Sequence, residues 1–270
     1  MTIDHNTVPV PSLERIRHPF RARHVQLVAR ELVSPGVMRI TLHSPEPLNL
    51  TSSGFDDHFK LILPVAGYEK PPLPQMIDGK PFIEGTKPVM RDYTPLRWTE
   101  HTLWVDFVIG HAGPATEWAC SAPLGQWVGA AGPRGSLVVH PVFSQYWLFA
   151  DATGLPAVQR AMTELPATAP LFIRLAVNPQ DRRSLDLPSS VDFQWVDQLT
   201  DAVDGIDHFP ASSFIWAAGE HHDMTQLRQA ILAKGADPKN TRISAYWRQG
   251  DQAHHAEITH ETPAHGRGNN

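Results

Sequence analysis

A cation, an aromatic ring and a hydroxyl share one short extended run in this chain, Arg91-Asp92-Tyr93-Thr94-Pro95-Leu96-Arg97. Alternation along a strand directs Arg91, Tyr93 and Arg97 to one side and Thr94 to the other, unless the proline bends the end of the run. The combination suits a flavin. An arginine pairs with a pyrophosphate, a tyrosine ring lies on an isoalloxazine, and a threonine hydroxyl or its amide hydrogen-bonds the redox-active edge. Taken alone, the run also reads as a sheet-edge strand with two surface arginines.

A second cluster follows the alternating strand 103–109: His111, Ala112, Gly113, Pro114, Ala115, Thr116, Glu117 and Trp118. Gly113-Pro114 closes the strand and opens a helix, with proline at the first helical position. Free backbone amides and the positive end of the helix dipole make such a start an anion site, and the Thr116 hydroxyl adds a donor. A plain capped helix is the alternative.

The two clusters together resemble the siderophore-interacting proteins, the ferric-siderophore reductase branch of the ferredoxin reductase-like flavoproteins. The resemblance continues through the blocks 59–64, 132–135, 151–157, 216–220 and 245–250, in the family's order. It implies FAD held by Arg91, Tyr93, Thr94, His111, Gly113, Pro114, Ala115 and Thr116, with Thr94 at the catalytic edge. The turn Asp151-Ala152-Thr153-Gly154 lacks the three-glycine dinucleotide fingerprint. Its place after a buried strand and before a helix still suits a pyrophosphate, and the family receives NADPH on a related turn, here through Asp151, Thr153 and Gly154. Gly219 and Glu220 correspond to the nicotinamide side, although Glu220 reads equally as an acid in the first turn of a helix. Arg182 and Arg183, or Arg228, are placed to discriminate an adenosine 2'-phosphate, with NADH the alternative donor.

The implied substrate is a ferric siderophore. Such chelates are often anionic, so cations beside the flavin are required, and Lys60, Arg134 and Arg248 are the expected set. Each has a plainer reading as a solvated strand residue, a flavin contact or a nucleotide contact. Trp247 reads as a wall of the site or as core. The implied reaction passes hydride from NADPH to the flavin and single electrons to Fe(III), releasing Fe(II) for assimilation. A general flavin oxidoreductase exchanging electrons with ferredoxin and a non-enzymatic siderophore carrier are the rivals.

These residues need a two-part scaffold. Short strand-like runs broken by proline and glycine fill residues 20–141, whereas continuous apolar strands alternating with helical spacing fill 142–250. The expected fold is β + α/β: a six-stranded antiparallel flavin-binding β-barrel, then a parallel α/β nucleotide-binding domain. A proline-rich stretch over 71–88 reads as a surface loop, and 251–270 as a histidine-bearing tail that matches no compact metal site. The 270 residues are 41% hydrophobic, with a formal net charge of -5. That balance advertises neither nucleic acid nor an anionic membrane. A single cysteine, Cys120, excludes an internal disulfide framework and reads as a small buried hydrophobe. With no signal peptide or apolar spanning stretch, the expectation is a cytoplasmic monomer without membrane insertion.

Overall fold

The computed structural model describes residues 12–110, 112–166, 169–250 and 256–258. Its first half contains β1 (Leu13–Arg17), β2 (Ala22–Ser34), β3 (Val37–His43), β4 (Phe59–Ile62), β5 (Gln75–Ile77) and β6 (Lys80–Phe82). Then come β7 (Met90–Tyr93), β8 (Arg97–Trp98), β9 (Thr102–Val108), helix α1 (Pro114–Ser121), β10 (Trp127–Ala131) and β11 (Gly135–Val139). Seven strands form one antiparallel sheet in the order β7-β4-β10-β2-β3-β9-β8, while β1–β11 and β5–β6 form separate pairs.

The expected six-stranded barrel is thus replaced by a seven-stranded curled sheet. The run 91–97 accounts for the difference. Proline lacks the amide a ladder needs and restricts the residue before it, so the run divides into β7 and β8 on opposite edges of the sheet. One face closes over Val25, Leu27, Ile40, Phe59, Leu61, Val105, Phe107 and Val128, and α1 adds Ala115, Trp118 and Ala119 to that core. The 71–88 stretch carries the exposed hairpin β5–β6. It is anchored where His24 Nε2 donates to the Pro71 carbonyl at 2.9 Å. Cys120 is exposed, contrary to expectation. The last turn of α1 leaves its carbonyls facing the Arg30 guanidinium, which donates to Cys120 and Ala122.

The second half holds β12 (Gln145–Asp151), α2 (Leu155–Glu164), β13 (Leu171–Ala176), β14 (Val191–Val196), α3 (Asp201–Asp204) and β15 (Ser213–Glu220). It ends with α4 (His221–Ala233), β16 (Thr241–Trp247) and β17 (Ala256–Glu257). The order is β14-β13-β12-β15-β16-β17, parallel except for β17. Apolar clusters cover the sheet on both faces, which explains why β12 and β15 read as continuous apolar runs. No helix among the described residues is long and apolar enough to cross a membrane.

Polar contacts join the two sheets. Arg160, buried on α2, donates from Nη2 to Ser52 Oγ and the Gly54 carbonyl, both at 2.8 Å, while its Nε meets Glu164 Oε1 at 3.0 Å. Its guanidinium also lies 5.1 Å from the Trp98 ring. Asp106 on β9 receives Arg39 at 2.7 Å and Arg183, from the parallel half, at 3.1 Å. Trp216 Nε1 donates to Asp56 Oδ2 at 3.1 Å. Buried charges of this kind cost most when one partner is removed. Arg160→Ala should therefore lower unfolding free energy by about 2–4 kcal/mol, read from a urea midpoint at constant slope. An unchanged midpoint would mean that Arg160 does not hold the halves together.

Candidate active site

Strand register brings the chemistry to one end of the curled sheet. Tyr93 on β7 lies opposite Phe59 on β4, Asp92 opposite Lys60, and Arg91 opposite Leu61. Arg91 and Tyr93 therefore share the face of the core residues Phe59 and Leu61, as alternation requires. The Tyr93 ring sits 4.2 Å from that of Phe107. Burial pushes its phenol well above the ordinary tyrosine value, with Arg91 acting in the opposite direction. The Arg91 guanidinium reaches back to the Met90 carbonyl at 2.8 Å. Arg97 belongs to β8 and lies over the Trp104 ring, 4.6 Å from its centre.

Thr94 ends the β7 edge and is buried. Its side chain lies close enough to the Tyr246 hydroxyl of β16 to influence it, so a residue of the parallel half reaches the end of the flavin-like strand. Burial, then the Asp56 charge, drive the Tyr246 hydroxyl far above its usual value, and Thr94 opposes the rise. At α1, Gly113 provides no side-chain cap and Pro114 occupies the first turn. The amides of Ala115 and Thr116 keep their donors, and the first-turn position of both matches the expectation from sequence. His111 lies outside the described residues, as does the histidine-bearing tail.

The carboxyl ends of the parallel strands face the same region. Asp151 ends β12 and caps the next turn, its Oδ1 accepting from Thr153 N at 2.7 Å and from Thr153 Oγ1 at 2.5 Å. Its Oδ2 accepts from Trp247 Nε1 at 2.8 Å. The expected phosphate donors of this turn are thus already bound to a carboxylate. Gly154 has a packing reason of its own, because an added Cβ would stand 2.8 Å from Ala150 Cβ and 3.2 Å from the Ala218 carbonyl. A Cβ at Gly219 would likewise meet Asp151 Oδ2 at 2.9 Å.

Glu220 caps the helix that follows it. It accepts from the amides of His222 and Asp223 at the start of α4 and from Gln249 N at 3.1 Å. Burial alone would raise this carboxyl, but the three backbone donors bring it below its ordinary value.

Among the expected cations, Lys60 binds Asp92 at 2.8 Å, while Arg134 and Arg248 are exposed. Arg183 is committed to Asp106. Arg182 pairs with Asp197 at 3.1 Å and lines an open cleft of about 520 Å³ with Arg174, Trp195 and Asp201. Arg228 Nε donates to the Ile258 carbonyl at 2.8 Å.

Sequence reasoning passed over Asp56, Trp216 and Tyr246, which lie where the two halves touch. The paired acids Asp56-Asp57, separated from Lys60 by two residues, were the visible signal for the first. Burial, the largest influence, lifts the Asp56 carboxyl to about 6, with Trp216 opposing and Asp57 adding to the rise. The folded state therefore holds this proton more tightly than the unfolded chain, whose aspartate titrates near 4. The associated stability is full below about pH 4 and is lost as pH rises through 6. Asp56→Asn should remove that loss, gaining about 1–3 kcal/mol on wild type between pH 4 and pH 8. Parallel stability curves for the two proteins would show that Asp56 does not titrate in this window.

Comparison with known proteins agrees with this architecture. The profile of the siderophore-interacting FAD-binding domain matches residues 26–137, and that of the siderophore-interacting protein matches 143–250. The chain is 34% identical over 259 residues to the NADPH-dependent ferric-chelate reductase of Escherichia coli, covering 90% of this chain and 98% of that one. It is 24% identical to the ferric vibriobactin reductase of Vibrio cholerae, over 87% of this chain and 93% of the relative. The crystal structure of a siderophore utilization protein from T. fusca superposes with a TM-score of 0.78 at 27% identity, covering 89% of this chain and 97% of that one. Two matched domains that together span most of the sequence, and a relative aligned nearly end to end, place this chain in the siderophore-interacting protein family.

Proposed function

We propose that this protein is an FAD-dependent NADPH:ferric-siderophore reductase. The observation that carries the reading is the meeting of the two halves at Thr94 and Tyr246, flanked by Arg91, Tyr93 and the uncapped start of α1. Names and domains of the relatives support the same chemistry.

The residues fit a flavin dinucleotide. Arg91 uses one donor on its neighbour's carbonyl and retains others, and α1 offers amides that no side chain caps. These groups, with Thr116, would hold the pyrophosphate, Tyr93 would face the ring system, and Thr94 would orient its reactive edge. Bound FAD supplies the conversion between a two-electron hydride donor and one-electron acceptors, which no side chain here can perform.

The protein's own residues do the rest. Tyr246 and Trp216 wall the meeting point with apolar surface and exclude water from it. Thr94 would present its hydroxyl beside that of Tyr246. For the nucleotide, the cleft beside Arg182 suits the adenosine end, whereas the Asp151 turn needs its carboxylate displaced before a phosphate can use Thr153. Lys60, Arg134 and Arg248 attract the ferric chelate as substrate. Reduction lowers the charge of the iron and its preference for hard oxygen ligands, so Fe(II) is released to the cell.

The test is an anaerobic absorption spectrum of the FAD-loaded protein. Flavin bands should bleach on NADPH and return on a ferric siderophore, with Fe(II) captured by a chelating dye. Bands that never bleach would overturn NADPH as donor, and bleached bands that ignore the chelate would overturn the reductase. Arg91→Ala and Tyr93→Ala should each weaken flavin retention by about tenfold or more. Lys60→Ala should leave flavin content intact and raise KM for acidic chelates a few-fold, the modest size following from its exposure and its Asp92 partner. Full flavin occupancy in the first pair would remove those two residues from the cofactor site.

A further inference from the structure

The loop after β13 grips the antiparallel half twice within three residues. Asp181 Oδ1 accepts from the Gly36 amide at 2.6 Å, and Arg183 Nη2 donates to Asp106 Oδ2 at 3.1 Å. Both footholds are tied to β9. Asp106 lies on that strand opposite Arg39, which donates to both of its oxygens. The Gly36 carbonyl accepts from the amide of Ile109, one residue past the end of β9, at 2.8 Å.

Arg182, between the two footholds, turns back to its own half. Its Nε donates to the Val177 carbonyl at 3.0 Å, and its Nη2 donates to the Val196 carbonyl at 3.3 Å and to Asp197 at 3.1 Å. Nη1 has no partner among the described residues, and the residue lines the open cleft of about 520 Å³. The connection 177–190 holds no element longer than the turn Pro179–Asp181. A loop of that kind meets an entropy cost each time it is ordered around a ligand, and contacts that fix it beforehand remove the cost.

Gly36 carries the mark of the contact at its far end. It closes the β2–β3 hairpin without the positive φ for which turns reserve glycine. A Cβ there would instead meet the Asp181 carboxylate, whose Oδ2, Cγ and Oδ1 are its three nearest neighbours, with Cγ 3.0 Å away. The carboxylate pressed against the backbone explains the glycine where the turn does not.

We infer that Asp181 and Arg183 are positioning residues for the nucleotide donor: by clipping this loop to the flavin half they hold Arg182 ready for a 2'-phosphate, so that preference for NADPH over NADH depends on the contact between the halves. The inference rests on the reductase reading above, in which the cleft takes the adenosine end. A guanidinium nitrogen already aimed and still free to donate gains a charge-assisted bond to phosphate without first ordering its loop.

Adenosine 2',5'-bisphosphate and 5'-AMP differ only in the phosphate at issue, and their titration into the FAD-loaded protein by calorimetry needs no turnover. G36A opens the clip from the antiparallel side and changes no charge. It should weaken the bisphosphate about threefold to tenfold and leave 5'-AMP within about twofold. D181A should do the same, whereas D181N, whose side-chain oxygen can still accept the Gly36 amide, should stay near wild type. This pair separates position from charge, because a carboxylate that merely repelled the phosphate would make both variants bind the bisphosphate more tightly. In turnover, G36A should raise KM for NADPH while kcat and KM for NADH stay as they are.

Wild-type preference in both G36A and D181A would overturn the inference, as would equal losses for the two nucleotides or equal tightening in D181A and D181N. R182Q separates the inference from the reading beneath it. An unchanged preference in R182Q would remove the cleft from the donor site and the inference with it. A preference lost in R182Q but intact in G36A and D181A would strike the inference alone.

Discussion

Three residues, Thr94, Pro95 and Leu96, join the two outermost strands of the antiparallel sheet. Seven flat strands would hold those edges about 29 Å apart, while the four peptide steps from Tyr93 to Arg97 reach at most about 14 Å. The sheet has to curl, and its curl has to bring β7 beside β8. Everything at the candidate site depends on this. Curling places Thr94 at the rim, where Tyr246 of the other half can reach it, and carries Trp98 to the guanidinium of Arg160. A proline in mid-run, which would damage an ordinary strand, here marks the place where the chain leaves one edge for the other.

The contact between the halves is polar as well as apolar. Arg160 reaches Ser52, Gly54 and Glu164, yet its second terminal nitrogen is buried with no hydrogen-bond partner among the described residues. Both Asp106 oxygens accept from Arg39 on its own sheet, and Oδ2 accepts from Arg183 of the other half as well. Such pairs recover little more than their desolvation cost, and their effect is to accept one relative placement and reject others. Placement matters because the meeting of Thr94 with Tyr246 joins side chains from separate sheets, and a small slip would undo it. Phe55 and Trp216, whose rings meet edge to face at 5.4 Å, supply the apolar part of the same contact.

Much of this was legible in the sequence wherever local pattern and long-range role coincide. The alternation of 103–109 became β9, Gly113-Pro114 opened α1, and the unbroken apolar run 146–150 lies within the central strand β12. β16 was readable by the same rule but went unread, since Thr241, Ile243 and Ala245 alternate inward. β1 is short, and its polar residues conceal its pairing with β11. What could not be read were partnerships formed across the fold. Nothing local announces that Arg183 will be spent on Asp106, that Asp151 will occupy the amide of Thr153, or that Glu220 will cap α4 and reach Gln249 as well. Cys120 was misjudged because a short helix has few core positions, which Ala115, Trp118 and Ala119 already fill.

The net charge of -5 conflicts at first sight with the anionic chelate of the proposed function. Distance removes the conflict. At physiological salt, charges more than about 8 Å away are largely screened, so the acidic surface as a whole has little say once a chelate is at the mouth. Under the proposed function, the exposed Arg134 and Arg248 and the half-exposed Lys60 would act inside that range. The arrangement favours local selection over long-range steering, and it suits a product that has to leave. Because reduction changes the iron rather than the protein, the cations can remain fixed throughout, and release follows from the weakened grip of the chelate on Fe(II).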